Sequence, residues 1–304
     1  MGLRVTLTGA SGLIGGALLE RLTQRGDEVT VLTRHDGRFD SRPGVDVHQW
    51  DPLDEAAPVD ALTHRDAVIH LAGEPIAQRW NARVKRAIDT SRVQSTSNLV
   101  QGIAACPPQQ RPGVLVCASA VGYYGAHGEE PIDEEAPAGR DFLAQVCVAW
   151  ETAAHVAARH GVRVVALRTG VVLSRLGGAL AQMLAPFRLG IGGPIAGGDQ
   201  YISWIHLEDV VGIVLATLSD ERFTGPVNLT APSPLTNREF SKALGRALHR
   251  PAALPVPALA LRARYGEMAQ ILTSGARVLP AKALVLGYEF RYPQLQQALG
   301  ELFQ

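Results

Sequence analysis

An excess of charge is the first thing this sequence lacks. Lys and Arg total 29 and Asp and Glu total 29 over 304 residues, so the formal net charge is zero. Proteins that bind nucleic acid by neutralising phosphates carry a basic excess, and without one a nucleic-acid partner is not expected. Cysteine is scarce as well. Cys106, Cys117 and Cys147 are an odd number with no C-x-x-C spacing, which argues against a disulfide framework and a zinc site. They read as buried thiols in a reducing compartment, and no metal is expected. Long hydrophobic runs are missing too: the longest reach about ten residues, well short of the ~20 that span a bilayer. No leader-like segment precedes the first apolar run, Leu3-Arg4-Val5-Thr6-Leu7, so the expectation is a soluble, cytoplasmic protein without a membrane partner. Low charge does not mean disorder, because a chain that is 46% hydrophobic and 19% charged can bury a sizeable core.

What is present is alternation. Short apolar runs over 3–8, 28–33, 45–49, 67–71, 114–118 and 163–169 are separated by helical patterns over 12–25, 81–105 and 143–160. Strands alternating with helices imply βαβ units and a parallel sheet covered on both faces, a doubly wound α/β fold with its ligand at the carboxyl ends of the strands. After Thr169 the pattern changes. Seven glycines between 177 and 198, with Pro186 and Pro194, read as loops over a ligand cleft, and Val227-Asn228-Leu229 reads as a strand returning to the sheet. Thr236-Asn237-Arg238-Glu239 has the form of a capping box for a helix through Leu248. Further helices are expected over 258–273 and from Pro293. The length allows two units at about 150 residues each: residues 1–170, and a smaller elaboration over 171–304 with a segment near 226–230 back in the sheet.

The strongest local signal is Thr8-Gly9-Ala10-Ser11-Gly12-Leu13-Ile14-Gly15, between a predicted strand and a predicted helix. Glycines there permit a tight turn, let the backbone approach a pyrophosphate and allow close helix–strand packing, while free N–H groups at the helix start bind phosphate charge. Gly9, Ser11, Gly12, Leu13, Ile14 and Gly15 are therefore candidate dinucleotide contacts. At the end of the second strand stand Thr33 and Arg34, where an NAD site places a carboxylate; an arginine fork instead pairs with a 2′-phosphate and favours NADP. In the alternative reading Arg34 is a solvated loop charge and His35-Asp36 supplies the ribose contact. Asp51 is a candidate for the adenine edge or a plain turn aspartate. Arg92 shares a helix face with Ile88, Ser95 and Leu99, and there it either reaches cofactor phosphates or forms an interhelical salt bridge. Trp80, Trp150 and Trp204 read as packing residues, Trp204 least securely because it adjoins the glycine-rich stretch.

These features resemble the extended short-chain dehydrogenase/reductases, in the atypical branch of epimerase family proteins. The resemblance rests on Leu71-Ala72-Gly73-Glu74-Pro75-Ile76, Arg79-Trp80, Ser91-Arg92, Ser119-Ala120-Val121-Gly122-Tyr123-Tyr124-Gly125, Trp150-Glu151, Arg168-Thr169-Gly170-Val171-Val172-Leu173 and Ser203-Trp204-Ile205-His206, so it spans essentially the whole chain. It implies a Rossmann-type doubly wound sheet, a smaller C-terminal substrate domain, and NADP lined by Thr33, Arg34, Leu71, Ala72, Gly73, Arg92, Thr169 and Val172.

Most of that family uses Tyr-x-x-x-Lys on the helix after the fifth strand, the tyrosine as general acid/base and the lysine as its cation and ribose anchor. Anchored on Glu151, those positions hold Leu143 and Cys147. Neither can do that work; Cys147 reads as a buried thiol rather than a nucleophile. The remaining candidates are Ser119, Tyr123 and Tyr201, with Ala120 competing for the place of Ser119. Lys85 and Arg92 are the nearest cations, Tyr124 and His206 read as structural, and Glu74 faces either substrate or solvent. The expected function is NADP-dependent oxidoreduction or epimerisation of a small, sugar-linked substrate; the alternative is an NADP sensor without turnover. The helices over 81–105 and 143–160 could pair in a homodimer or be covered by their own domain.

Overall fold

Strands covered on both faces should bury nearly every residue rather than alternate ones. The structure, a computed structural model describing residues 2–34, 39 and 43–303, follows that rule in the inner strands of the sheet, while the edge strand over 45–49 has no fully buried residue. In chain order, β1 (Arg4–Thr8) leads through α1 (Leu13–Gln24) to β2 (Glu28–Thr33), β3 (Val45–Gln49) and β4 (Ala67–His70). The long α2 (Ala82–Ala105) crosses to β5 (Val114–Ala120), and β6 (Pro131–Ile132), α3 (Phe142–His155), β7 (Arg163–Thr169) and β8 (Val171–Leu173) follow. Next come α4 (Gly178–Arg188), β9 (Tyr201–Ile202), β10 (Trp204–His206), α5 (Leu207–Ser219) and β11 (Gly225–Leu229). The chain closes with β12 (Leu235–Thr236), α6 (Asn237–Ala247), α7 (Ala258–Tyr265), α8 (Ala269–Thr273), β13 (Arg277–Val278), α9 (Ala281–Val285) and α10 (Leu295–Phe303).

The main sheet has the order β3-β2-β1-β4-β5-β7-β11, with every neighbouring pair parallel. Successive side chains of a strand point to opposite faces. Val5, Leu7, Val116 and Leu167 accordingly pack with Leu18 and Leu22 of α1 and Val210 and Val214 of α5. Val68, Leu115 and Val164 meet Leu99 and Ile103 of α2 and Trp150 and Ala154 of α3 on the other face. The strand order reverses direction between β1 and β4, which opens a crevice at their carboxyl ends. No helix among the described residues is long and apolar enough to cross a membrane.

The C-terminal part departs from the sequence reading in two places, the segment of α4 and the helix expected over 258–273. The stretch read as loops over a cleft contains α4, because Leu180, Leu184 and Phe187 recur at helical spacing and enter a core with Phe240, Leu244 and Leu299. Pro186 is accommodated in its last turn. Trp204 is fully buried in that same core, its indole N–H donating to Ser233 O at 3.0 Å. The single helix expected over 258–273 is broken at Gly266, whose φ of +63° only glycine adopts readily. The capping box is present as read, with Thr236 and Glu239 bonded reciprocally.

The outer edge of the sheet, β11, is tied into the rest of the chain. Pro226 has no N–H to offer, the Asn228 N–H donates to the Glu134 carboxylate at 3.0 Å, and Lys282 Nζ donates to the carbonyls of Thr224 and Pro226. The Asn228 side chain adds a bond to Leu279 O at 2.9 Å.

Candidate functional site at the reversal point of the sheet

The floor of the crevice is a chain of hydroxyls around one histidine. Thr8 and His70 end the two strands that flank the reversal and lie directly opposite each other. Thr8 Oγ1 accepts from the backbone N–H of Leu71 at 3.1 Å and of Ala72 at 3.3 Å, so its own proton points to His70 Nδ1, 2.8 Å away. That makes Nδ1 the acceptor and leaves Nε2–H to donate to Ser95 Oγ at 3.3 Å, while Ser95 donates onward to Ser91 O. Complete burial holds His70 well below the usual imidazole range, at about 4.

A native pKa depressed below that of the unfolded chain means that the unfolded state takes up the proton first as pH falls. His70 therefore contributes stability that is fully present above pH 6.5 and is lost as pH falls through about 4. Urea unfolding across that window should show about 3 kcal/mol less stability at the acid end from this group. His70→Asn, which keeps an acceptor for Thr8, should remove that pH-dependent part; identical slopes in parent and variant would refute the assignment.

Above this floor lies the glycine turn, and its glycines are not equivalent. Gly9 has φ +73°, and a Cβ there would sit 2.8 Å from the Leu71 carbonyl. A Cβ on Gly15 would sit 2.2 Å from Gly9 O. Both are demanded by the fold. Gly12 has φ −81° and ψ 172°, open to any residue, and its Cβ would meet only Gly9 O at 3.3 Å. Gly12 is also the N-cap of α1 and provides no side-chain cap, whereas Asn81, Asp141, His206 and Thr236 cap α2, α3, α5 and α6. The first N–H groups of α1, from Leu13 and Ile14, are thus left for a ligand beside Ser11. The start of α4 comes down onto this turn, since a Cβ on Gly178 would approach Leu13 Cδ2 at 3.1 Å.

Around the turn the other candidates divide. Arg34 is exposed at the end of β2, and among the described residues its guanidinium has no hydrogen bond or ion pair, while its carbonyl accepts from Gln49. His35 and Asp36 lie outside the described residues. Asp51 follows β3 and accepts from the Leu53 N–H at 3.0 Å, which makes it at least a turn former. Leu71, Ala72 and Gly73 form the loop after β4, and Glu74 N donates to Ser91 Oγ at 3.0 Å, tying that loop to α2. Val172 packs on the sheet core, and the Thr169 hydroxyl is turned back to Leu167 O. Among the described residues Arg92 has no interhelical salt bridge; it bonds Ile88 O at 3.1 Å and lies over Trp150 with 5.1 Å from Cζ to ring centroid.

The acid/base candidates are less uniform. Ser119 is buried and donates to Glu151 Oε1 at 2.7 Å. Tyr123 lies under the Arg168 guanidinium, 3.4 Å from its ring centroid, and packs with Ala276 and Val278. Tyr201 lies under Arg277 at 5.5 Å. Among the described residues neither Tyr123 nor Tyr201 has a hydrogen-bond partner for its hydroxyl. Lys85 is not their cation, for it is spent on Glu267 and stacks on Phe142. Tyr124 donates to Asn228 Oδ1 and His206 caps α5 while facing Glu301, both as structural groups. At the Tyr/Lys positions, Leu143 packs on Gly122, and burial pushes the Cys147 thiol up to about 11, so it is no nucleophile.

Sequence reasoning missed the charge pair behind these groups. Arg168 is 3% exposed and meets Glu151 in a fork, Nε to Oε1 and Nη2 to Oε2 both at 2.9 Å. Arg168 Nη1 donates to Tyr124 and to Glu134 O. Both residues stood inside quoted motifs, but only the adjacency of β5, β7 and α3 brings them together.

Comparison with known proteins agrees with this geometry. The NAD dependent epimerase/dehydratase family profile matches residues 5–229, and a domain of unknown function (DUF1731) matches residues 256–302. The chain is 40% identical over 301 residues to the epimerase family protein SDR39U1 homolog, chloroplastic, of Arabidopsis thaliana, covering 99% of this chain and 86% of that protein. It is similar to the crystal structure of human epimerase family protein SDR39U1 (isoform2) with NADPH, at TM-score 0.87 and 36% identity over 99% of both chains. It also resembles MoeE5 in complex with UDP-glucose and NAD, at TM-score 0.76 over 99% of this chain and 97% of that one. At 22% identity that last likeness speaks for the fold alone.

Proposed function

Because the chain belongs to the NAD dependent epimerase/dehydratase family, we propose that the crevice binds NADP and serves oxidoreduction or epimerisation of a small, sugar-linked substrate. The observation that carries this reading is Gly12, a glycine that the backbone does not require, at an uncapped helix start in the crevice. The N–H groups of Ser11, Leu13, Ile14 and Gly15 would hold the pyrophosphate, that of Gly12 being bonded to Gly9 O, with Leu71, Ala72, Gly73, Thr169 and Val172 along the walls and Asp51 toward the adenine. Thr33 and Arg34 would take the 2′-phosphate; support comes from the Arg34 guanidinium, which has no partner among the described residues, and from the NADPH in the human relative's structure. When bound, the nicotinamide supplies hydride-transfer chemistry. The chain's own part is to position the substrate and to provide a proton, for which the unpartnered hydroxyls of Tyr123 and Tyr201 are better placed than Ser119, whose proton is committed to Glu151. The three free, buried cysteines suit a reducing, cytoplasmic setting.

Titration calorimetry should find NADPH bound several-fold tighter than NADH, and Arg34→Ala should narrow that gap by about 1.5–3 kcal/mol, the worth of a charge-assisted pair. Equal affinities in the unaltered protein would sink the NADP assignment. Leu143 and Cys147 favour a second reading, an NADP sensor without turnover. Tight NADPH binding with no absorbance change or epimer formation across a panel of nucleotide sugars and carbonyl compounds would select it.

A further inference from the structure

A guanidinium drawn partly into a protein is normally answered by carboxylates or carbonyls, because leaving it unanswered is costly. Three arginines of this chain follow the rule. Arg168 meets Glu151, Arg163 donates to Phe223 O and Thr217 O, and Arg111 donates to the carbonyls of Ala104, Cys106 and His160. Arg277 does not. It is half-buried on β13, and among the described residues it has neither an ion pair nor a hydrogen bond. Its Nε is buried without an acceptor, while both terminal nitrogens are open. Glu129 and Glu130 precede Pro131, the register partner of Arg277 on β6, yet neither pairs with it.

The place of this unspent cation is fixed by its neighbours. Ser203 ties β13 down, donating to Ala276 O at 2.7 Å and accepting from the Val278 N–H at 2.9 Å. Ser203 in turn adjoins Gly170 at the end of β7, where any Cβ would run into Ser203 O. Ala276 and Val278 pack with Tyr123 and Tyr124, which follow β5. β13 therefore lies over the carboxyl ends of β5 and β7, on the side of the crevice away from β2 and Arg34. Side chains alternate along a strand, so Arg277 turns from the Tyr123 side onto the ring of Tyr201, 5.5 Å from Cζ to centroid. The Tyr201 hydroxyl is also without a partner among the described residues, so the stacked pair presents only unspent donors. A dinucleotide keeps its pyrophosphate at the glycine turn after β1, which β4 separates from β5, so the cofactor's phosphates do not answer Arg277. We propose that Arg277, backed by Tyr201, binds an oxyanion carried by the substrate, a carboxylate or a phosphate. The segment over 256–302, matched by a domain of unknown function, thereby supplies the anchor of an acidic substrate. This rests on the reading of the crevice as a site for a sugar-linked substrate and narrows that class to charged members.

The test titrates three probes that share one ring, glucose, glucuronate and glucose 1-phosphate, into the protein with and without saturating NADPH, read by ligand-observed NMR. The unaltered protein should bind at least one charged probe about 10-fold or more tighter than glucose, as a charge-assisted pair allows. A preference for glucuronate identifies a carboxylate, and one for glucose 1-phosphate a phosphate. Arg277→Gln should erase the preference, and Arg277→Lys should keep part of it, having the charge without the fork. NADPH affinity in Arg277→Gln should stay within a factor of about two of the parent, which also reports an intact fold. No charged preference in the unaltered protein, a preference that survives Arg277→Gln, or NADPH affinity lost along with it overturns the assignment while leaving the dinucleotide reading in place. Failure of the unaltered protein to bind NADPH overturns the dinucleotide reading, and the titrations without NADPH still decide Arg277.

Discussion

Gly12→Val should fold like the parent and bind no measurable NADPH. The backbone at Gly12 is extended and ordinary for any residue, and an added Cβ touches only Gly9 O at 3.3 Å. The cost to stability should stay within about 1 kcal/mol, the range of surface and cap substitutions without a special backbone angle. Affinity should fall at least about 100-fold, because the new side chain occupies the space that the pyrophosphate needs beside the N–H groups of α1. The internal control is Gly15→Ala, in which a smaller side chain at 2.2 Å from Gly9 O should damage folding itself. Thermal unfolding and calorimetry on the two variants read the contrast. A Gly12→Val protein that binds NADPH within twofold of the parent would reduce the turn to architecture.

The second large effect concerns stability rather than binding. Glu151→Ala should cost about 3–5 kcal/mol, because it strands the Arg168 guanidinium in the interior with its fork unanswered. Ser119 and Arg168 both lose their acceptor in that change. Replacing both partners with apolar residues, Glu151→Leu with Arg168→Met, should recover most of the loss, since the buried pair itself is worth little against a well-packed apolar contact. Denaturant unfolding measures all three proteins. A single variant within 1 kcal/mol of the parent would show that water reaches Arg168 freely.

The contrast between these predictions tracks what a linear sequence records. The sheet was readable because parallel strands need continuous apolar runs, and the glycine turn because its demands fall within eight consecutive residues. The capping box at Thr236 and Glu239 was readable for the same local reason. By contrast α4 was hidden by its flanking glycines and by Pro186, although Leu180, Leu184 and Phe187 held the helical period. Trp204 was the least secure of the tryptophans read as packing residues because a glycine-rich stretch precedes it, and its neighbours in space, Leu173, Phe240 and Leu299, bear the packing reading out. Arg92 could be set on the right helix from spacing, but its stacking on Trp150 depends on which side chains α3 turns toward it. The Glu151–Arg168 pair, 17 residues apart in the chain, needed the fold to exist before it had meaning.

The tethering of β11 bears on how the protein behaves in a crowded solution. An edge strand offers alternating free donors and acceptors to any other strand that passes, and is the usual seed of sheet-to-sheet aggregation. Residues 226 and 228 are those of β11 that turn away from β7, and neither exposes a usable pattern. Pro226 has no donor, its carbonyl is occupied by Lys282, and the Asn228 N–H is occupied by Glu134. A foreign strand arriving there would have to displace a carboxylate and an ammonium group before forming a single ladder bond. Glu134 and Lys282, which tie β11 to the segment after β6 and to α9, thus act as a stop on further sheet growth at this edge, where a chain of zero net charge is guarded by geometry rather than by charge repulsion.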